Sequence, residues 1–189
     1  SSKSEGQLPN IIFEKLYSEA VNKPIRTIKE GRTSRPFIKV GDCIGQNINY
    51  KTTRMTGFLG RIYDIDLTQG FREYLDFAGL IFNLGVGGIH SQDNSGVFSS
   101  DGDTLILDCD VTSFYPNIVL FNNIKPAHID AKFLDIFRGL IKERIEAKAR
   151  GDKTTADVLT ISINAVFGKM GNPDYWLYDP LAFYSVTIS

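Results

Sequence analysis

The chain has 189 residues, 42% of them hydrophobic and 23% charged, which is ordinary for a globular chain and enough to bury one core. Its formal net charge of −1, from 21 Lys and Arg against 22 Asp and Glu, excludes an overall basic field as the source of nucleic-acid affinity but leaves room for a local basic cleft. No run reaches the roughly 18 apolar residues of a membrane span, and the polar start SSKSEGQ has no apolar signal core and reads as a disordered lead-in. Cys43 and Cys109 lack metal-ligand spacing. Cys109 lies in an apolar run and reads as a buried free thiol, and this cysteine usage points to a reducing cytoplasm.

Residues 8–22 place Ile12, Leu16 and Ala20 at helical spacing, with Phe13 beside them, and predict a short amphipathic helix. Residues 23–50 are rich in Gly, Thr, Asn and β-branched side chains. Short strands and turns are expected there, with Val40–Gly41–Asp42 as a turn between two of them. From Phe71 to Phe82 the positions Phe71, Leu75, Ala78 and Phe82 again fit a helix. NLGVGGIHSQDNSG, with four glycines in fourteen residues, follows as a loop.

TLILDCD, residues 104–110, reads as a buried strand, and a helix is expected to begin near Tyr115–Pro116 because proline suits a first turn. Further on, Ile129, Phe133, Phe137, Leu140, Ile141 and Ile145 make one apolar stripe. Gly151 stops that helix, and Asp152 or Thr154 caps a second one running to about Phe167. Together these form an antiparallel helical hairpin protruding from a strand-bearing platform, an α+β class. The last residues, LAFYSVTIS, stay apolar without a cap or polar tail, so a piece of a longer protein is expected.

Asp108 and Asp110, two apart in a regular strand, point to one face. A carboxylate at a strand end suits a hard cation such as Mg²⁺, which takes oxygen ligands and substrate phosphates. On its own a D-x-D is equally a solvent-facing strand end or the cap of the next helix. The sequel, Ser113-Phe114-Tyr115-Pro116, adds turning backbone amides that can meet a phosphate and a ring that can lie under a sugar. Arg144 and Lys148 are four apart and share a helix face. The plain alternative is a solvated face paired to Glu143 and Glu146. Asn164 sits in an otherwise apolar helix, where an amide needs a bonding partner.

DVTSFYPNI, residues 110–118, resembles the first polymerase motif of family B DNA polymerases, roughly D-x-x-S-L-Y-P-S-I. TISINAVFGKMG, residues 160–171, is similar to the second motif, K-x-x-x-N-S-x-Y-G, with Asn164, Phe167 and Gly168 in register. The resemblance implies a partial polymerase palm sheet carrying a fingers hairpin, of phage or mobile-element type. Residues 1–75 would be a connecting region, 76–125 a palm segment, 126–170 the fingers and 171–189 the start of the return into the palm. It implies Asp110 as catalytic and, with the Val111 carbonyl, as ligand of Mg²⁺ or Mn²⁺. Ser113, Phe114, Tyr115, Arg144, Lys148 and Asn164 would hold the deoxynucleoside triphosphate, with Tyr115 excluding a 2′-hydroxyl. Gly87, Gly88, Phe167, Gly168 and Lys169 would contact primer–template DNA, the first two as part of a glycine element ahead of Asp110.

The chain departs from the pattern at Thr160, where the family has a lysine, which implies a chemical step slowed by ~10²–10³. Lys153 lies 11 residues before Asn164, about 16 Å along a helix, too far to take that place. The third motif, with its acidic pair, has no counterpart, so the remainder of the parent polymerase is expected as a partner and no membrane is. Two other readings remain open. One is a nucleotide-sugar glycosyltransferase using the D-x-D; the other is a non-catalytic polymerase remnant.

Overall fold

Residues 132–170 fold as the antiparallel hairpin their apolar spacing predicts. The computed structural model describes residues 8–45, 48–92 and 94–188; the lead-in expected at residues 1–7 lies outside them. Helix α1 spans Leu8–Val21, followed by the single turns α2 (Ile25–Ile28) and α3 (Val40–Cys43) and by α4 (Thr53–Ile62). Strands β1 (Arg72–Phe77), β2 (Leu80–Gly85) and β3 (Gly88–Ser91) form one antiparallel sheet in that order. Helices α5 (Phe114–Phe121), α6 (Lys132–Ala149), α7 (Lys153–Met170) and α8 (Pro180–Ile188) complete an α+β chain.

The hairpin turn works as its residues dictate. Gly151 takes φ 77°, a conformation that costs a Cβ-bearing residue about 1 kcal/mol or more. Asp152 then caps α7 by accepting a hydrogen bond from the Thr155 amide. Ile129, Phe133, Phe137, Leu140 and Ile141 are buried as a stripe against α1 and α7, whereas Ile145 is exposed. The buried face of α6 continues through Ala147, and Ile145 stands off it. Phe13, Tyr17, Phe133 and Trp176 make the aromatic centre of this body.

A second, smaller core gathers Ile38, Val40, Cys43, Phe58, Ile62, Leu67 and Leu75. Helix α8 joins the two, with Ala182 and Val186 in the first and Leu181, Tyr184 and Ile188 against the second. At its N-terminus Asp179 is 1% exposed. Its carboxylate accepts hydrogen bonds from Arg35 Nε (3.1 Å) and from the amides of Ala127 (2.9 Å) and Leu181 (3.1 Å). One buried acid therefore ties three distant stretches of chain.

Four expectations are corrected. Residues 71–82 are two strands, not a helix. Ala78 and Gly79 both take positive φ, 55° and 80°, as a two-residue hairpin turn matching strand twist requires, and Leu75 and Phe77 turn inward in alternation. The glycine stretch 83–96 is not all loop, because Gly85 pairs with Gly88 across Val86–Gly87 and β3 follows. Residues 23–50 hold the helical turns α2 and α3 where strands were expected. Only the isolated bridge Lys39–Asp66 is strand-like there among the described residues.

The fourth correction concerns 104–110, which is neither a strand nor buried. Leu105, Ile106 and Leu107 are 74%, 49% and 72% exposed, and Cys109 is exposed as well. β-branched and aliphatic residues favour a strand only where a neighbour takes up the backbone hydrogen bonds, and no strand of the sheet runs beside them.

Candidate nucleotide site

Ser113 opens α5 in the left-handed conformation, φ 54° and ψ 47°, and this sharp entry aims its hydroxyl at α6. Arg144, in the C-terminal half of α6, donates through Nη1 to Ser113 Oγ (2.6 Å) and through Nε to Thr160 Oγ1 (2.7 Å) on α7. The Thr160 hydroxyl in turn donates to the Ala156 carbonyl (2.8 Å). A planar guanidinium held at two of its nitrogens keeps one orientation, so α5, α6 and α7 meet at a fixed cation.

Around that cation lies an open cleft lined by Ser113, Phe114, Tyr115, Arg144, Thr160 and Asn164, floored by Pro116 and Ile163. Five of the six residues expected to hold a nucleotide line it. The sixth, Lys148, lines the adjoining cleft together with Arg144 and Thr160. Asn164 is exposed at the rim and is satisfied by solvent, so the burial penalty expected of it does not arise. Tyr115 meets Phe167 at 5.0 Å with the rings tilted by 33°, and Phe167 stacks at 5.1 Å on Phe183 of α8. The Tyr115 ring is thereby backed by a row of aromatics reaching α8, a rigid wall for the cleft.

The charges of α6 sort themselves. Glu143 pairs with Arg150 (3.0 Å), and Glu146 pairs with Arg150 (3.9 Å) and Lys142 (3.8 Å). The alternative of a self-paired helix face therefore holds for these residues and not for Arg144 and Lys148, which have no carboxylate within ion-pair distance among the described residues.

The residues expected to touch DNA are dispersed. Gly87 lies in the Val86–Gly87 turn and Gly88, at φ 111°, opens β3, held against α8 where Thr187 Oγ1 donates to the Val86 carbonyl (3.0 Å). Phe167 is taken up in the aromatic row. Gly168 is exposed, with open space where a Cβ would stand. The Lys169 ammonium sits 4.5 Å over the Tyr175 ring. Beneath it the Tyr175 hydroxyl donates to the buried Glu14 (3.2 Å), which also pairs with Lys29 (2.8 Å). Burial, then the Glu14 charge, raises the Tyr175 pKa above its ordinary value, so that hydroxyl stays a donor.

Asp110 and Val111 lie in the exposed stretch ahead of α5 and do not line the cleft. The implied Mg²⁺ or Mn²⁺ centre does not fit the described residues. Two-metal chemistry needs several carboxylates around its ions, and among the described residues no group of three or more His, Cys, Asp and Glu side chains is placed to hold one.

Sequence reasoning set Lys153 aside as too far from Asn164, yet it lines the cleft shared with Arg144 and Lys148. The signal was present: Lys153, Asp157, Thr160 and Asn164 fall at i, i+4, i+7 and i+11, one face of α7. Among the described residues no helix is long and apolar enough to cross a membrane. Comparison with protein-family models, with curated proteins and with solved structures finds no match to this chain.

Proposed function

We propose that this chain is the nucleotide-binding part of a family B DNA polymerase and holds a deoxynucleoside triphosphate in the cleft between α5 and the α6–α7 hairpin. One observation carries the reading. The two stretches that bear the resemblance, 110–118 and 160–171, come together on a single cleft, with Arg144 hydrogen-bonded to both.

In this reading the base and sugar rest on the Tyr115 ring, and the phosphates face Arg144 and Lys148. A guanidinium offers a planar fork to phosphate oxygens, while an ammonium acts as a compact charge. A metal centre would have to take its ligands from the rest of the parent enzyme, with Asp110 the one carboxylate this chain would offer, and the primer–template DNA would be carried there as well. The chain by itself then binds nucleotide without turning it over.

Titration calorimetry of the 189-residue chain with dATP, ATP and a UDP-sugar tests this. Binding of dATP in preference to the other two is expected. Arg144→Ala weakens it by about tenfold or more, the usual loss for a charge-assisted hydrogen bond. Tyr115→Ala removes the preference for dATP over ATP. Tighter binding of the UDP-sugar than of dATP would sink the polymerase reading in favour of the glycosyltransferase.

A further inference from the structure

Arg144, Lys148 and Lys153 line one cleft between α6 and α7, and Asp157 is the one carboxylate beside them. Among the described residues none of the three cations has a carboxylate within ion-pair distance, because Glu143 and Glu146 are turned to Arg150 and Lys142. Three cations facing one another repel unless an anion sits between them, and a walled cleft concentrates that field. The hairpin turn produces the arrangement. Gly151 in the left-handed region and the Asp152 cap bring the first residue of α7 back beside the last turn of α6. This cleft and the one holding Tyr115 and Asn164 share Arg144 and Thr160 as common wall, so a ligand seated on Tyr115 extends toward Lys153 past a fixed guanidinium.

We infer that Lys153 is a further phosphate-binding residue of this site and takes the distal phosphates of the bound triphosphate from the hairpin tip. The inference rests on the nucleotide reading above. Thr160 does a different job from the lysine the family pattern places there: its hydroxyl is a positioning group that holds Arg144. The cation missing at position 160 is thus supplied two turns earlier on the same helix face. The separation along α7 is unchanged, but the joined clefts span it.

The test compares dATP, dAMP and inorganic tripolyphosphate on the wild-type chain, Lys153→Ala and Lys153→Arg. Lys153 is exposed at the start of α7, and far-UV circular dichroism verifies that the variants fold. Lys153→Ala is expected to weaken dATP and tripolyphosphate by about tenfold while leaving dAMP unchanged, and Lys153→Arg restores most of the loss. The salt dependence of tripolyphosphate binding becomes shallower in the alanine variant. Unchanged dATP affinity in Lys153→Ala, with Arg144→Ala still deleterious, would overturn the role of Lys153 and leave the nucleotide reading standing. Tripolyphosphate bound through Lys153 without any dATP binding would do the reverse, keeping Lys153 as a polyphosphate ligand and sinking the nucleotide. Loss of primer–template DNA affinity in Lys153→Ala, with dATP affinity intact, would overturn the assignment in favour of a nucleic-acid phosphate.

Discussion

The α6–α7 hairpin and the stretch 104–111 are both rich in aliphatic residues, and they end in opposite states. The hairpin buries Phe133, Phe137, Leu140 and Ile163 against α1 and each other, while Leu105, Ile106, Leu107 and Val111 stand in solvent. A helix closes its own backbone hydrogen bonds and needs only a face to pack. An extended segment needs a neighbour for every second amide before its side chains matter. The half of the candidate site built on helices is therefore complete within this chain, and the half built on an extended segment is not.

The sharpest way to break this contrast is to strike the helical body. Phe133 is fully buried and meets Phe13 edge-on at 5.2 Å, so Phe133→Ala should cost about 3–5 kcal/mol in urea unfolding. A loss below ~1 kcal/mol would mean that the aromatic centre does not carry the fold. Next comes the buried acid at the head of α8. Asp179→Ala strips three hydrogen-bond donors of their acceptor and is expected to cost about 2–3 kcal/mol; a neutral outcome would break the proposed tie between residues 35, 127 and 181.

The two cysteines repeat the comparison on a smaller scale. Burial, partly offset by a hydrogen bond with Ser185, pushes the Cys43 thiol up to about 12 from 9.0, and Cys109 is exposed. A raised folded-state pKa means that the folded chain keeps its proton to higher pH than the unfolded chain does. Stability from this group is thus complete below about pH 9 and falls by about 1.4 kcal/mol per pH unit until the folded pKa is passed. Cys43→Ala should flatten that alkaline slope, and Cys109→Ser should leave it alone. If both variants keep the slope, the buried thiol is not its source. Smallest of all, Leu107→Ser should shift the unfolding midpoint by less than ~0.5 kcal/mol and lower the binding of a dye specific for exposed apolar surface. A loss comparable to Phe133→Ala would show that the extended stretch is packed after all.

The same contrast explains what could be read from the residues. The hairpin was legible because its stripe, Gly151 and Asp152 are local signals that agree with one another. The β1–β2 hairpin was not, because Phe71, Leu75, Ala78 and Phe82 match helical spacing by coincidence. What decides the conformation there is a turn at Ala78–Gly79, where alanine is an uncommon choice for positive φ. The strand expected at 104–110 failed for want of a neighbour, which no pattern within the segment reports. At the candidate site, residue types and spacing brought out the two stretches that meet on the cleft. They did not reveal that Thr160 would hold Arg144, since that contact joins residues 16 apart in sequence on two different helices.

Ser113 shows how such a site resists improvement. Its left-handed backbone costs about 1 kcal/mol that glycine would not incur, but the looser unfolded chain of a glycine variant and the lost hydrogen bond to Arg144 offset that gain. The same exchange deletes the hydroxyl that accepts from Arg144 and leaves the guanidinium held by Thr160 alone. A thermostability screen should therefore find no gain in Ser113→Gly, the substitution that backbone strain alone would favour, and a nucleotide-binding screen run on the same library should reject it.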